Sequence, residues 1–535
     1  MRAPRALYHL MRADFLERVR SGGFLLVLAI TVFAAYVFVP PYGSPYATLV
    51  LGGHRGYYNS PWVGTLYGVV ASTLLGLVGF YLVKNAVTRD YQTRVGQIIA
   101  TTRTPKYLYM LGKWASNVAV LALILGVLTV MAPTMQLVRA EDSNIDLWAL
   151  VAPIWFLGLP SLSVISAIAV LFESVPFLRG GLGNVAYFFV WGPGLLASEG
   201  SLLVARASVS ARNDFGGLSR SIVSIRELLA ASGMDISHGG RGVIVPLSGT
   251  NVVRFTWSGI DWTAGIFLER LEWIGAAIAI ALIASLPFDR FDPARRRLRG
   301  QSLATSPGGQ TSDRPAAGVG DALVQLTPIP DSRPRSRWVA LYAAELRLML
   351  KGRKWLWNVV AVGLVVATLT VPLDITHRYL FLAAWLWPIL LWSAMGNRER
   401  QHETHQIVFS VAHPLRRQLS AIWMAGFSVA VLFGGGVAIR LVAAGRWGPS
   451  FAWVAGAVFI PSLALALGTW SNGSRLFEIT YMIWWYLGPV SRIPAWDFTG
   501  VTAEANTAAT PAVYLAVSVV LLGMAVIGRR RQLQV

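Results

Sequence analysis

The residues best equipped for chemistry are His402-Glu403-Thr404-His405, with His413 close behind. Zinc hydrolases set two histidines four apart around a glutamate, so that both imidazoles share one helical face beside a general base. Here the histidines are three apart, one residue short of that pattern. A polar, solvated loop accounts for them better, and no metal site is expected. Phosphate chemistry has no better footing. The GxxxxGK[ST] loop is absent: of five lysines only Lys113 follows a glycine, and Tyr107 stands where the loop's first glycine belongs. No GxSxG marks a nucleophile, and a chain without cysteine has no thiolate. No catalytic residue is assigned, and the chain is not expected to be an enzyme by itself.

The elements that position these polar residues belong to a membrane protein. Hydrophobic residues make up 55% of the 535, charged residues only 13%, and the mean hydropathy is +0.54. The reading is an all-α polytopic fold with a bilayer as its surroundings. Twelve apolar runs recur along the chain, near the length of about 17–25 residues that crosses a bilayer core, with several short enough for kinked or re-entrant segments. The formal charge of +20 would suit nucleic acid, but the basic residues sit in the connections between runs, on alternate sides. That is a topology signal, so no nucleic-acid partner is expected, and both termini are placed on the cytoplasmic side of a bacterial cytoplasmic membrane. A cleaved signal peptide is not expected either.

Two polar, basic islands stand out between apolar runs, 84–114 and 393–423. Setting Pro105 on Pro414, an offset of 309 (414 − 105), also sets Arg89 on Arg398, Asp90 on Glu399, Gln97 on Gln406 and Trp114 on Trp423. Thr93 and Gly96 then fall on His402 and His405, which weakens the metal reading further. Before the first run, Leu7, Met11, Phe15 and Val19 step by four along one helical stripe. At an offset of 331 (338 − 7) the stripe returns as Trp338, Tyr342, Leu346 and Leu350. Both stripes fit helices lying on the inner membrane surface. Each carries an acid within the stripe, Asp14 and Glu345, which costs free energy unless it reaches water or finds a basic partner. Gly192-Pro193 and Gly488-Pro489 break the fifth run of each half at matching places.

These signals divide the chain into an inner surface helix (1–23), spans 1–5 (24–198), a small mixed extracellular subdomain (199–271), span 6 with a basic end (272–299), a Pro/Gly/Ser/Thr-rich cytoplasmic linker (300–337), a second surface helix (338–354) and spans 7–12 (355–535). A surface helix leading into span one, a basic loop between spans two and three, and a Gly-Pro break in span five before an outer segment together resemble the membrane subunit of the type-two ATP-binding-cassette exporters, with two six-span units fused. The loose motifs that carry this are Arg94-Val95-Gly96-Gln97-Ile98-Ile99-Ala100-Thr101-Thr102, then Pro105 and Gly112-Lys113, the Phe255–Trp262 tract, and Phe288-Asp289-Arg290-Phe291-Asp292-Pro293. The resemblance implies a separate ATPase subunit, two copies per chain, holding the ATP and magnesium and docked on the loops 84–107 and 393–416. The contacts expected are Asp90, Arg94, Gln97 and Arg103 in the first loop and Glu399, Glu403 and Gln406 in the second. The substrate is left open. The competing readings are a major-facilitator-like secondary transporter, which would want a GxxxDRxGR-like loop after span two, and a polytopic enzyme acting on lipids, which would want a carboxylate pair or metal set.

Overall fold

A computed structural model describes residues 3–41, 43–44, 46–139, 141–189, 191, 216–234, 242–246, 252–291, 337–351, 355–402, 404, 406, 408, 414–471, 473–490, 493–507 and 509–534. The protein is mostly helical and divides into two compact units, Met1–Ala304 and Thr305–Val535. Among the described residues six helices are long and apolar enough to cross a bilayer: Ser60–Gln92, Lys106–Arg139, Leu147–Ser174, Leu415–Ala443, Trp447–Ser471 and Ala509–Leu533. Leu7–Val19 and Gly22–Phe38, bent by 70° at a short break, make a seventh if they count as one span.

In unit 1 the helices are α1 (Ala3–Val19), α2 (Gly22–Phe38), α3 (Ser60–Ser72), α4 (Leu74–Val83), α5 (Ala86–Gln92), α6 (Val95–Thr101), α7 (Lys106–Arg139), α8 (Leu147–Ser174), α9 (Leu218–Ala231) and α10 (Ala264–Ile283). Their starts follow local chemistry. The Ser21 hydroxyl accepts from Phe24 N–H at the head of α2, and Asn59 with Pro61 opens α3. Asp146 accepts from the N–H groups of Trp148 and Ala149 to open α8. Helix α8 is the axis of the unit, packed against α3, α7 and α10. Small residues allow the closest approach: a Cβ on Gly64 would lie 2.6 Å from the Ala149 carbonyl oxygen, and one on Gly68 3.0 Å from that of Pro153.

At the end of α3 remote from α5, two strand pairs form. Strand β1 (Tyr46–Val50) pairs antiparallel with β3 (Gly242–Pro246), and β2 (His54–Gly56) pairs parallel with β4 (Val253–Phe255). The β-prone run at 243–245 thus finds its partner in the segment 41–60, which reads in sequence as an irregular loop. Its Gly/Pro/Tyr content hides a strand that exists only through pairing. The subdomain expected at 199–271 is therefore built from both segments, and α10 begins at Ala264, inside the range assigned to it.

Unit 2 comprises α11 (Arg337–Leu350), α12 (Trp355–Thr370), α13 (Phe381–Leu386), α14 (Ile389–Trp392), α15 (Arg398–Gln401), α16 (Pro414–Ala443), α17 (Trp447–Ser471), α18 (Arg475–Trp485) and α19 (Ala509–Gln534). Within the range assigned to spans 7–12, the apolar run over 379–395 is in pieces: a π turn at Thr376–Leu380, then α13, then α14 after Pro388. Tyr486–Val490 is a second π turn. Gly488 is required there, since a Cβ would sit 2.0 Å from the Trp496 carbonyl oxygen.

Candidate functional site

The two polar islands are each fastened by buried charge. In unit 1, Asp14 on α1 and Asp90 on α5 are 7% and 6% exposed, and the Lys113 ammonium on α7, 1% exposed, lies between them. Its Nζ is 2.8 Å from Asp14 Oδ2 and 2.7 Å from Asp90 Oδ2. The Tyr109 hydroxyl donates to Asp90 Oδ2 at 2.6 Å. Arg89 reaches Glu17 at 2.8 Å and Asp14 at 3.9 Å, and Arg18 donates to Asn117 Oδ1. A buried ion pair holds only when geometry and hydrogen bonds offset its desolvation, and here both carboxylates have several partners. Of the two outcomes open to the Asp14 acid, water or a basic partner, the structure gives the partner.

Helix α5 is also gripped from α8. The Glu173 carboxylate, fully buried, accepts from the backbone N–H groups of Asn85, Ala86, Val87 and Thr88, an acid placed on the positive end of a helix. Lys84 beside it donates to the carbonyls of Leu178 and Gly180 and, at 2.6 Å, to Asn184 Oδ1. Beyond α10, Phe288 stacks on Tyr109 and Phe291 packs against Gly96 of α6 so closely that a Cβ on Gly96 would be 2.4 Å from the ring. Lys106 Nζ donates to the Phe288 carbonyl at 2.8 Å, and the Arg290 guanidinium to that of Thr102. The loop is thus held from α1, α7, α8 and the tract after α10.

What this clamp presents is a short exposed face. Arg94, Gln97 and Arg103 are exposed, along with Val95 and Ile98 at 42% and 67%. Arg94 precedes α6 in the left-handed region (φ +61°), a strained setting for a side chain other than glycine. Asp90, expected among the exposed contacts, is inside the lock instead.

Unit 2 repeats the theme with different parts. Glu345 of α11 meets Arg398 at 3.3 Å. Glu399, 8% exposed, accepts on Oε1 from Gln418 at 2.7 Å and pairs on the same oxygen with Arg529 of α19 at 3.3 Å. Gln418 stands 309 residues after Tyr109 and does for Glu399 what the tyrosine does for Asp90. The position 309 after Lys113 is Ile422, so the cation comes from the last helix. Burial pushes the Glu345 carboxyl above the usual glutamate range; Arg398 opposes this, Glu399 adds to it and Arg529 opposes it. Gln406 is exposed. Gly488 and Pro489 are buried in their π turn. Glu403, His405, His413, Gly192 and Pro193 lie outside the described residues.

Sequence reading named Lys113 only within the Gly112-Lys113 motif, without its role between the two acids, and missed Tyr109, Glu173 and Arg529. The available signals were weak: Lys113 stands at the end of the first polar island, and Arg529 is one of three arginines in a row at 529–531. The tryptophans were more telling, since Trp114 donates to the Ser163 carbonyl and Trp423 to the Ser462 hydroxyl, both at 3.0 Å. Ser462 lies in the tract Pro461-Ser462-Leu463, which repeats Pro160-Ser161-Leu162 at an offset of 301 (461 − 160), and Ser163 is the residue just after that first tract.

At the end remote from the loop, Arg55 forms a two-point ion pair with Glu141, at 2.6 and 2.9 Å, with Arg254 at 3.4 Å. Burial pushes the Glu141 carboxyl up, but the hydrogen bond and charge of Arg55 outweigh it and hold it below the usual range. Trp62 is wedged edge-on between Phe255 and Trp257. Among the described residues no group of three or more His, Cys, Asp or Glu side chains is placed to hold a metal. No protein-family model matches the chain, and no curated protein matches it in sequence.

Proposed function

We propose that the chain is the permease subunit of an ATP-binding-cassette exporter of the type-two kind, made of two related six-span units and driven by a separate ATPase docked on the loops 84–107 and 393–416. One observation carries the reading: a short helix, α6, whose exposed Arg94, Gln97 and Ile98 face is backed by Phe291 at Gly96 and follows directly on α5, which buried ion pairs and the Glu173 carboxylate fix to the span bundle. A face of that kind transmits force without deforming, which is what a gate without its own engine requires. On this reading the ATP and magnesium belong to the partner, both termini are cytoplasmic in a bacterial inner membrane, and the strand-bearing end of unit 1 faces outward.

The test has two arms. The tagged chain should co-purify with a P-loop ATPase from its native membrane. Gln97→Glu combined with Gln406→Glu should then lower transport-coupled ATP hydrolysis by more than about tenfold while the protein still inserts and melts as before. Unchanged coupling in that double variant, or uphill transport by the chain alone on an ion gradient, refutes the reading.

A further inference from the structure

Helix α1 turns two sides to different surroundings. One side is taken up by the bundle: Asp14 meets Lys113, and Arg18 donates to Asn117. Leu7 and Leu10 pack at Gly112 of α7, where a Cβ would lie 2.5 Å from Leu10 and 3.5 Å from Leu7. The apolar stripe expected to rest on the membrane therefore begins against α7 instead. The other side is a ridge of Arg5, Tyr8, Arg12 and Leu16, at steps of three, four and four along the helix. Both arginines are exposed, Tyr8 is 54% exposed and Leu16 39%. Among the described residues neither arginine has an acid as partner, and Glu17, the one exposed acid of α1, is held by Arg89 at 2.8 Å. The 13 residues Leu7–Val19 are bent by 70° from α2, which carries no charged residue between Gly22 and Phe38. With α2 crossing a bilayer, α1 lies close to the plane of its surface.

A ridge of this composition suits one occupant. Tyrosine settles where apolar tails give way to headgroups, and a guanidinium fork matches a pair of phosphate oxygens. Arginines without a protein partner gain most from a headgroup of net negative charge, because the ammonium of a zwitterionic headgroup cancels much of the attraction. We propose that the ridge Arg5-Tyr8-Arg12-Leu16 binds acidic phospholipid, its two guanidinium groups on the phosphate and its Tyr8 and Leu16 side chains against the upper part of the tails. Because the opposite side of the same helix holds Asp14 against Lys113, lipid bound here steadies the lock behind the first loop. The proposal requires a bilayer but no ATPase, so it and the transport reading fail separately.

The experiment is thermal unfolding of the purified full chain in nanodiscs of phosphatidylcholine, alone or mixed with phosphatidylglycerol. The expected result is a melting temperature about 2–4 °C higher with phosphatidylglycerol. Arg5→Gln combined with Arg12→Gln should remove most of that rise, and Arg5→Lys with Arg12→Lys should keep most of it. Arg416→Gln with Arg417→Gln, an exposed pair in unit 2, should leave it intact. Should the first double variant fail to fold, Tyr8→Cys in this cysteine-free chain supplies the second measurement through a thiol-linked fluorophore. Spin-labelled phosphatidylglycerol should quench it at least about twofold more than phosphatidylcholine labelled in the same way. Equal melting in both lipids, equal loss of the rise in the two glutamine pairs, or equal quenching overturns the proposal. So does the same rise on adding glycerol phosphate to phosphatidylcholine nanodiscs, which would make the ligand a free anion.

Discussion

Lys113 is the residue on which unit 1 concentrates its buried charge. Replacing it with methionine keeps the volume and strands two carboxylates away from water. Lys113→Met should therefore cost about 3–5 kcal/mol, read as a large fall in the denaturant midpoint of the purified protein. Arg94 tests the opposite balance. Its backbone is left-handed at φ +61°, so Arg94→Gly should stabilise the fold by up to about 1 kcal/mol in the same assay. If the side chain meets an ATPase, that more stable variant should hydrolyse ATP more slowly in complex, separating stability from function. These residues were only partly legible in sequence. The acids at 14 and 345 announced a cost by lying in apolar stripes, but sequence could not say whether water or a cation met it. The answer depends on α1 and α7 meeting, a contact between residues 99 apart.

At the scale of elements, α6 is held by shape as well as charge. Gly96 faces the Phe291 ring with no room for a methyl group, so Gly96→Ala should loosen α6 and raise its protease sensitivity. Phe291→Leu in the same chain should restore protection by making room. The strand-bearing end should respond to acid. The Glu141 carboxyl sits below its unfolded value, so its stabilisation is complete above about pH 4.3 and is lost as pH falls through the lowered folded value. Glu141→Gln should lower the melting temperature by about 2–4 °C at neutral pH and flatten that acid dependence. The long helices α7, α8, α16 and α17 were legible because apolar length alone announces them. Broken elements were less so: Gly488-Pro489 marked the break that forms the π turn at 486–490, but the π turn at 376–380 carried no such mark, and strand β1 owes its form to neighbours far away in sequence.

For the molecule as a whole, the two compact units predict that the chain tolerates division. Residues 1–304 and 305–535, expressed together as separate pieces, should co-insert, and each should show the protease resistance of its part of the intact chain. Degradation of both pieces would mean that neither core suffices. Internal likeness was visible as offsets of 309 and 331, yet the substitution of Arg529 for a lysine in α7 was not, because alignment follows position whereas charge balance is met from any helix within reach. The Glu173 grip has a practical corollary. Four successive amides hang on one carboxylate at the foot of α8, so a tilt of that helix has to arrive at α5 as displacement, with little slack. Because the chain has no native thiol, a cysteine pair placed on these two helices would give an unambiguous gauge of that travel, provided the probes leave residue 173 itself untouched.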